Sequence, residues 1–147
     1  MTTPALHIKR ERGAALIETA LALPMVLLVA VGIFEFGRAY QTWQVLTNAA
    51  REGARVAVLP GANDGLITAR AISYMEAGQL SESDNATVAV NPVMLDLGGG
   101  ATAAASSVTV NYPFQFIVLG PVANLVARGA PLGETFTMQA TAVMRIE

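Results

Sequence analysis

The chain of 147 residues contains no cysteine, one histidine and one lysine, and only 14% of its residues are charged. Without cysteine there is no disulfide, no thiolate nucleophile and no cysteine-ligated metal, and the redox compartment is left open. General acid-base chemistry calls for a histidine or paired carboxylates in a cleft, and the one histidine, His7, stands in the N-terminal basic segment. Asp64, Glu82, Asp84 and Asp96 are scattered through turn-like sequence at spacings that match no Ca²⁺ loop. Gly98-Gly99-Gly100 lacks the Lys-Ser/Thr and the strand-to-helix setting of a phosphate loop. A net charge of -2 gives no basic field for a polyanion, so nucleic acid is not an expected partner. No metal or cofactor site is expected, and an enzyme is not.

What the chain does have is apolar surface: 53% of residues are hydrophobic and the mean hydropathy is +0.48. Soluble domains usually carry nearer a quarter charged residues. The excess is concentrated in Ala14 to Phe34, 21 residues with Glu18 as their only charge. As a helix this run covers about 31 Å, the thickness of a bilayer core. Lys9, Arg10 and Arg12 precede it with no basic cluster soon after, so the N-terminus is expected in the cytoplasm and the rest outside. A cleaved secretory signal is the rival reading, but its apolar core is normally shorter and ends at a small-residue cleavage site.

Beyond the run, Phe36, Tyr40, Trp43, Thr47, Ala50, Ala54 and Ala57 recur at spacings of four and three, predicting one stripe on a helix continuing to Leu59. Pro60, Gly61, Asn63, Asp64 and Gly65 then stop it. Pro24 interrupts the bilayer half and is expected to kink it. A second helix is expected from an Asp64 cap to Ala77, with Ile67, Ala71, Tyr74 and Met75 inward and Gly78 as its stop. Strands are expected at Ala86 to Val90, around Val108, Val110 and Tyr112, and from Phe136 to Ile146, with a flexible Gly98 to Gly100 stretch between the first two. Phe114 to Arg128, broken by Gly120 and Pro121, reads as loop plus a turn or two of helix. The fold class is α+β: a long N-terminal transmembrane helix extending into a head with a short second helix and a small antiparallel sheet. The divisions are 1–13, a basic leader; 14–36, the transmembrane half of the helix; 37–59, its extracytoplasmic half; and 60–147, the head.

Glu18 needs an explanation, because a carboxylate near the end of a membrane span costs up to 2.5 to 3.5 kcal/mol at the centre on insertion scales, roughly speaking, and less near an interface. It either snorkels to the headgroups of an uncut anchor or pairs with an α-amino group at Ala14, which cleavage after Gly13 would create. Glu35 and Arg38 can pair where the helix leaves the bilayer, or stand as an ordinary solvated pair. Arg51, Glu52 and Arg55 read either as a wet helix face or as a docking face for the head. Pro24, Gly32, Gly37 and Ala39 suit close parallel helix packing in lipid. Tyr40 and Trp43 read as core or interfacial belt.

Arg12-Gly13-Ala14-Ala15-Leu16-Ile17-Glu18, Ala20-Leu21-Ala22-Leu23-Pro24, Gly32-Ile33-Phe34-Glu35-Phe36-Gly37-Arg38-Ala39-Tyr40 and Ala49-Ala50-Arg51-Glu52-Gly53-Ala54-Arg55 together resemble the TadE-like family, pilus-assembly pseudopilins of the tight-adherence (Tad) system. The closing Ala142-Val143-Met144-Arg145-Ile146-Glu147 is similar to that family's C-terminus. The resemblance implies cutting by a prepilin peptidase between Gly13 and Ala14. It further implies an inner-membrane stage with the head in the periplasm, and a minor-pilin role in assembling a type IVb (Flp) fibre for surface adherence. The implied partners are other pilins and pseudopilins, the inner-membrane assembly platform and membrane lipids. The implied assembly residues are Glu18, Pro24, Glu35, Gly37 and Arg38, with Arg51, Glu52 and Arg55 packing helix against head. The sequence differs from the usual Tad pattern in having Thr19, not an aromatic residue, after the acidic position. An uncleaved, membrane-anchored periplasmic binding or adhesion module is the alternative.

Overall fold

The computed structural model describes residues 7–126 and 134–146, with side chains for 13–125 and 134–146. The side chains of the basic leader, together with Arg128 and Glu147, lie outside the described residues. Helix α1 (His7–Ala57, 51 residues) is followed by α2 (Asp64–Ala77), a 3-10 turn at Ser83–Asn85, β1 (Thr87–Gly98), β2 (Ala101–Phe114), α3 (Leu119–Val126) and β3 (Phe136–Arg145). The fold class is the α+β arrangement expected from the sequence. At about 1.5 Å per residue α1 is roughly 76 Å long. It continues through Pro24, although proline can donate no hydrogen bond there.

The three strands form one antiparallel sheet in the order β1-β2-β3, with Val110 opposite both Val88 and Ala140. Alternation divides the sheet into two faces. Val108, Val110, Tyr112 and Phe114 of β2 and Ala140 of β3 are buried against α1 and α2. The other face is a polar ladder in which the Asn111 amide donates to Thr87, Gln139 donates to Asn111 at 2.9 Å, and Thr109 and Thr141 hydroxyls meet at 2.9 Å. One face is therefore apolar and packed, the other wet, as antiparallel sheets allow.

The first strand outlasts the expected Ala86 to Val90, continuing through Pro92 to Gly98. Proline is tolerated because β1 is an edge strand, where one row of amides has no ladder partner. Gly98, Gly99 and Gly100, expected as a flexible stretch, form the hairpin turn itself, with φ of 84°, 62° and 83°. That left-handed run is open only to glycine at small cost.

The face of α1 that packs on the head follows the expected stripe at Ala50 and Ala54 and departs from it nearer the bilayer. Glu35, Thr42, Leu46, Ala49, Ala50 and Ala54 are buried, whereas Phe36, Tyr40 and Trp43 are exposed. Small residues, not aromatics, mark the contact. Of the two readings of Tyr40 and Trp43, core and interfacial belt, their exposure is compatible with the belt and not with the core. A Cβ on Gly53 would stand 3.1 Å from Val108 Cγ1 and 3.6 Å from Ile67 Cγ2, so α1 meets both β2 and α2 there nearly backbone to side chain.

Helix α2 begins as expected but is capped by Asn63, not Asp64: the Asn63 Oδ1 accepts from the Leu66 amide at 3.0 Å. Its inner residues include Ile67, Ala71 and Met75, all buried. Gly78 ends it with an ordinary φ of -78°, and the left-handed residue is Gln79, at 60°. Glycine is needed at 78 for space instead. A Cβ there would stand 2.5 and 3.0 Å from the two Val45 methyls of α1. Gly78→Ala should therefore destabilise the full-length protein by about 1–3 kcal/mol through overpacking. Adding Val45→Ala should recover part of that loss, which denaturant titration in detergent micelles will show as a favourable coupling between the two sites.

Candidate functional site: the junction of the membrane helix and the head

From Leu16 to Phe34 the apolar side chains of α1 are open to the surroundings; Leu21 and Met25 are 72% and 73% exposed. No other part of the described chain covers most of this surface. It is the one described helix long and apolar enough to cross a membrane, and being bare it is not the core helix of a water-soluble fold. The chain is accordingly a membrane-anchored one by this helix.

Where the bare half meets the packed half stands Glu35, whose side chain is completely buried. One carboxylate oxygen, Oε2, accepts from the Arg38 guanidinium at 3.2 Å. The other, Oε1, accepts from the backbone amides of Val118 and, at 3.4 Å, Leu119. These amides open α3, whose first internal hydrogen bond runs from the Val122 amide to the Val118 carbonyl at 3.1 Å. Glu35 thus acts as an N-cap supplied from another helix. It satisfies amides that have no partner within α3 and places a negative charge at the positive end of the helix dipole. Pro121 fits the first turn of α3 for the complementary reason that an amide there would be an orphan.

Arg38 completes the knot. Its guanidinium also donates to the Gln115 carbonyl and lies 4.3 Å from the centroid of the Phe114 ring. Its buried Nε has no hydrogen-bond partner. Phe114, Phe116 and Phe136 form a ring cluster with centroids 5.2 to 5.7 Å apart, and Phe36 of α1 touches its edge at 6.1 Å from Phe116. Glu35 and Arg38 are therefore not a solvated interfacial pair. The spacing-three pattern shows that they can meet. It gives no hint of the amides of Val118 and Leu119, because those come from 83 and 84 positions away.

The remaining site residues are dispersed along α1. Gly13 and Ala14 lie within the continuous helix, and Gly13 has open space around it. Glu18 is exposed beside Thr19, Ala22, Leu23 and Val26, with no cation in pairing range among the described residues. The Thr19 hydroxyl turns back to the Ala15 carbonyl at 2.8 Å. Gly37 is exposed with nothing within 4 Å of a Cβ. Pro24, Leu27, Leu28 and Val31 line an apolar groove with Val118, Leu119 and Val122 of the α3 segment. Glu52 bridges elements, accepting from Arg55 at 2.9 Å and from Arg70 of α2 at 3.0 Å. Arg51 does not reach the head; it is exposed and donates to Asn48 on its own helix at 3.3 Å. Among the described residues no group of three His, Asp or Glu converges as a metal site would require.

Two classes of ion pair differ here in burial, and this sets what each is worth. Arg38→Ala leaves the Glu35 carboxylate buried without its cation and should cost on the order of 3 kcal/mol. Arg70→Ala opens a half-exposed pair and should cost less than about 1 kcal/mol. Thermal unfolding of the two variants in the same detergent will show whether they separate in this order.

No curated protein and no solved structure matches the chain. Residues 13–55 match the family model described as TadE-like protein, a match that covers α1 from its bare half through Glu35 and Arg38 to the ion pairs at Glu52 and Arg55. Over that helix the chain is similar to TadE-like proteins, and the match takes in the bare segment long and apolar enough to cross a membrane.

Proposed function

We propose that the protein is a minor pilin, or pseudopilin, that assists assembly of a type IVb (Flp) pilus of the tight-adherence system. The observation that carries this reading is the coincidence of the TadE-like match with a helix whose first half is bare and apolar and whose second half holds a folded head. The anchor keeps its N-terminus in the cytoplasm and its head in the periplasm of the inner membrane. A prepilin peptidase cuts between Gly13 and Ala14. The new α-amino group, mostly protonated at neutral pH, pairs with Glu18 of its own or a neighbouring helix, which supplies a cation that Glu18 does not find among the described residues. Other pilins and the assembly platform contact the bare half of α1. The protein acts by packing, not by catalysis.

A second reading is an uncut anchor presenting its head as a binding or adhesion module. The observation in its favour is that α1 runs unbroken from His7 through Gly13, so a peptidase must unwind it. Mass separates the two. Mature protein from cells that make pili should begin at Ala14, and Gly13→Val should remain about 1.4 kDa heavier, thirteen residues at roughly 110 Da each, because a side chain at the cut site obstructs the peptidase. Wild-type protein intact from Met1 in such cells would refute the processed reading. Glu18→Ala should insert at normal abundance but fail to support fibres, since removing a carboxylate eases insertion while deleting the partner of the new amine. Normal fibres from that variant would reduce Glu18 to a tolerated interfacial residue.

A further inference from the structure

The segment from Ile117 to Leu125 is the least expected part of the head. It is apolar, yet it adds nothing to the buried clusters between sheet and helices, and its large side chains face outward: Ile117 is 60% exposed and Leu125 86%. Its position explains why. With its N-terminus held at Glu35, α3 runs beside α1, and Val118, Leu119 and Val122 line one apolar groove together with Val31, Leu28, Leu27 and Pro24. Those four residues belong to the bare apolar half of α1, from about 5 to 15 Å short of Phe34 along the helix axis. A span that uses Ala14 to Phe34 therefore carries α3 into the bilayer beside it.

We infer that α3 is a second membrane-embedded element, inserted as a partial hairpin into the leaflet facing the head, its exposed face covered by lipid acyl chains. This rests on the reading of α1 as a membrane anchor. Two features of the site fit hydrocarbon better than water. The amides at the start of α3 are bonded by Glu35 within the protein, where water would otherwise serve them, and hydrocarbon admits helices only when such groups are satisfied internally. Arg38, at the level where α1 leaves the apolar run, has its guanidinium on the Phe114 ring and paired with Glu35, so its charge is met within the protein where hydrocarbon gives way to headgroups. Lipid is favoured as the occupant because the α3 surface continues that of the spanning half of α1 without a polar break among Val118, Leu119, Val122 and Leu125. A second copy of the chain is the competing occupant.

The absence of native cysteine makes the test direct. Single Leu125→Cys, Val122→Cys, Leu97→Cys and Leu21→Cys variants of the full chain are reconstituted in phosphatidylethanolamine/phosphatidylglycerol vesicles and treated with a charged, membrane-impermeant maleimide. Leu97, at the tip of the β1–β2 hairpin and 53% exposed, reports the accessible head, and Leu21 reports the anchor. All four positions are exposed or nearly so, so folding is not at stake. Leu125→Cys and Val122→Cys should label at least tenfold more slowly than Leu97→Cys, at every protein-to-lipid ratio. A smaller difference, with Leu21→Cys protected, would overturn the inference and leave the anchor intact. Protection that fades as protein is diluted in lipid would assign the surface to a second copy, and overturn it too. Ready labelling of Leu21→Cys would overturn the anchor and the inference together.

Discussion

One buried carboxylate connects the three parts of this molecule. Glu35 belongs to the membrane helix, pairs with Arg38 on the next turn, and closes the start of α3, which is distant in sequence. A carboxylate removed from water is stable only when its lone pairs are occupied and a cation is near, and all of those partners are contributed by the junction itself. The head cannot turn freely about α1 while this contact holds. The Arg38 contacts with the Gln115 carbonyl and the Phe114 ring extend the same constraint into β2 and the phenylalanine cluster.

Above the junction α1 meets different demands from those below it. The lower half presents large aliphatic side chains on all sides, as a helix in lipid does. The upper half narrows to Ala49, Ala50, Gly53 and Ala54 where α2 and β2 approach, and keeps Arg51 and Arg55 on the opposite, wet face. Glycine works in the same way from the other side, at Gly78 against Val45. The closeness of this packing allows a head with a single three-stranded sheet to be held by one helix. Burial of few but well-fitted side chains substitutes for a thick core.

Much of this was legible in the sequence because it rests on local pattern. A run of apolar residues, turn chemistry at Pro60 to Gly65, and the period-two alternation of Val108, Val110 and Tyr112 each reflect a single element. The misreadings share a cause, which is that the decisive partner lies far along the chain. Tyr40 and Trp43 were legible only as core or interfacial belt, because which side of α1 the head would cover is decided by α2 and the sheet, far along the chain. The first strand runs on past Val90 through Pro92, whose missing amide costs little because β1 lies at the edge of the sheet. Glu35 could be paired with Arg38 by spacing; its role as a cap for α3 had no local signal at all. The faint clue was compositional: Gly120-Pro121 within an apolar stretch marks a helix start that lacks a capping side chain of its own.

Amide hydrogen exchange at Val118 and Leu119, in full-length protein held in detergent micelles, tests the central place of Glu35 most directly. The structure predicts that Glu35→Ala accelerates exchange at these two amides by about tenfold or more, the equivalent of roughly 1.4 kcal/mol, while Val110 in the middle of the sheet is unchanged. Equal exchange in wild type and variant at Val118 and Leu119 would contradict the account, and show that α3 is held by its apolar contacts with α1 alone.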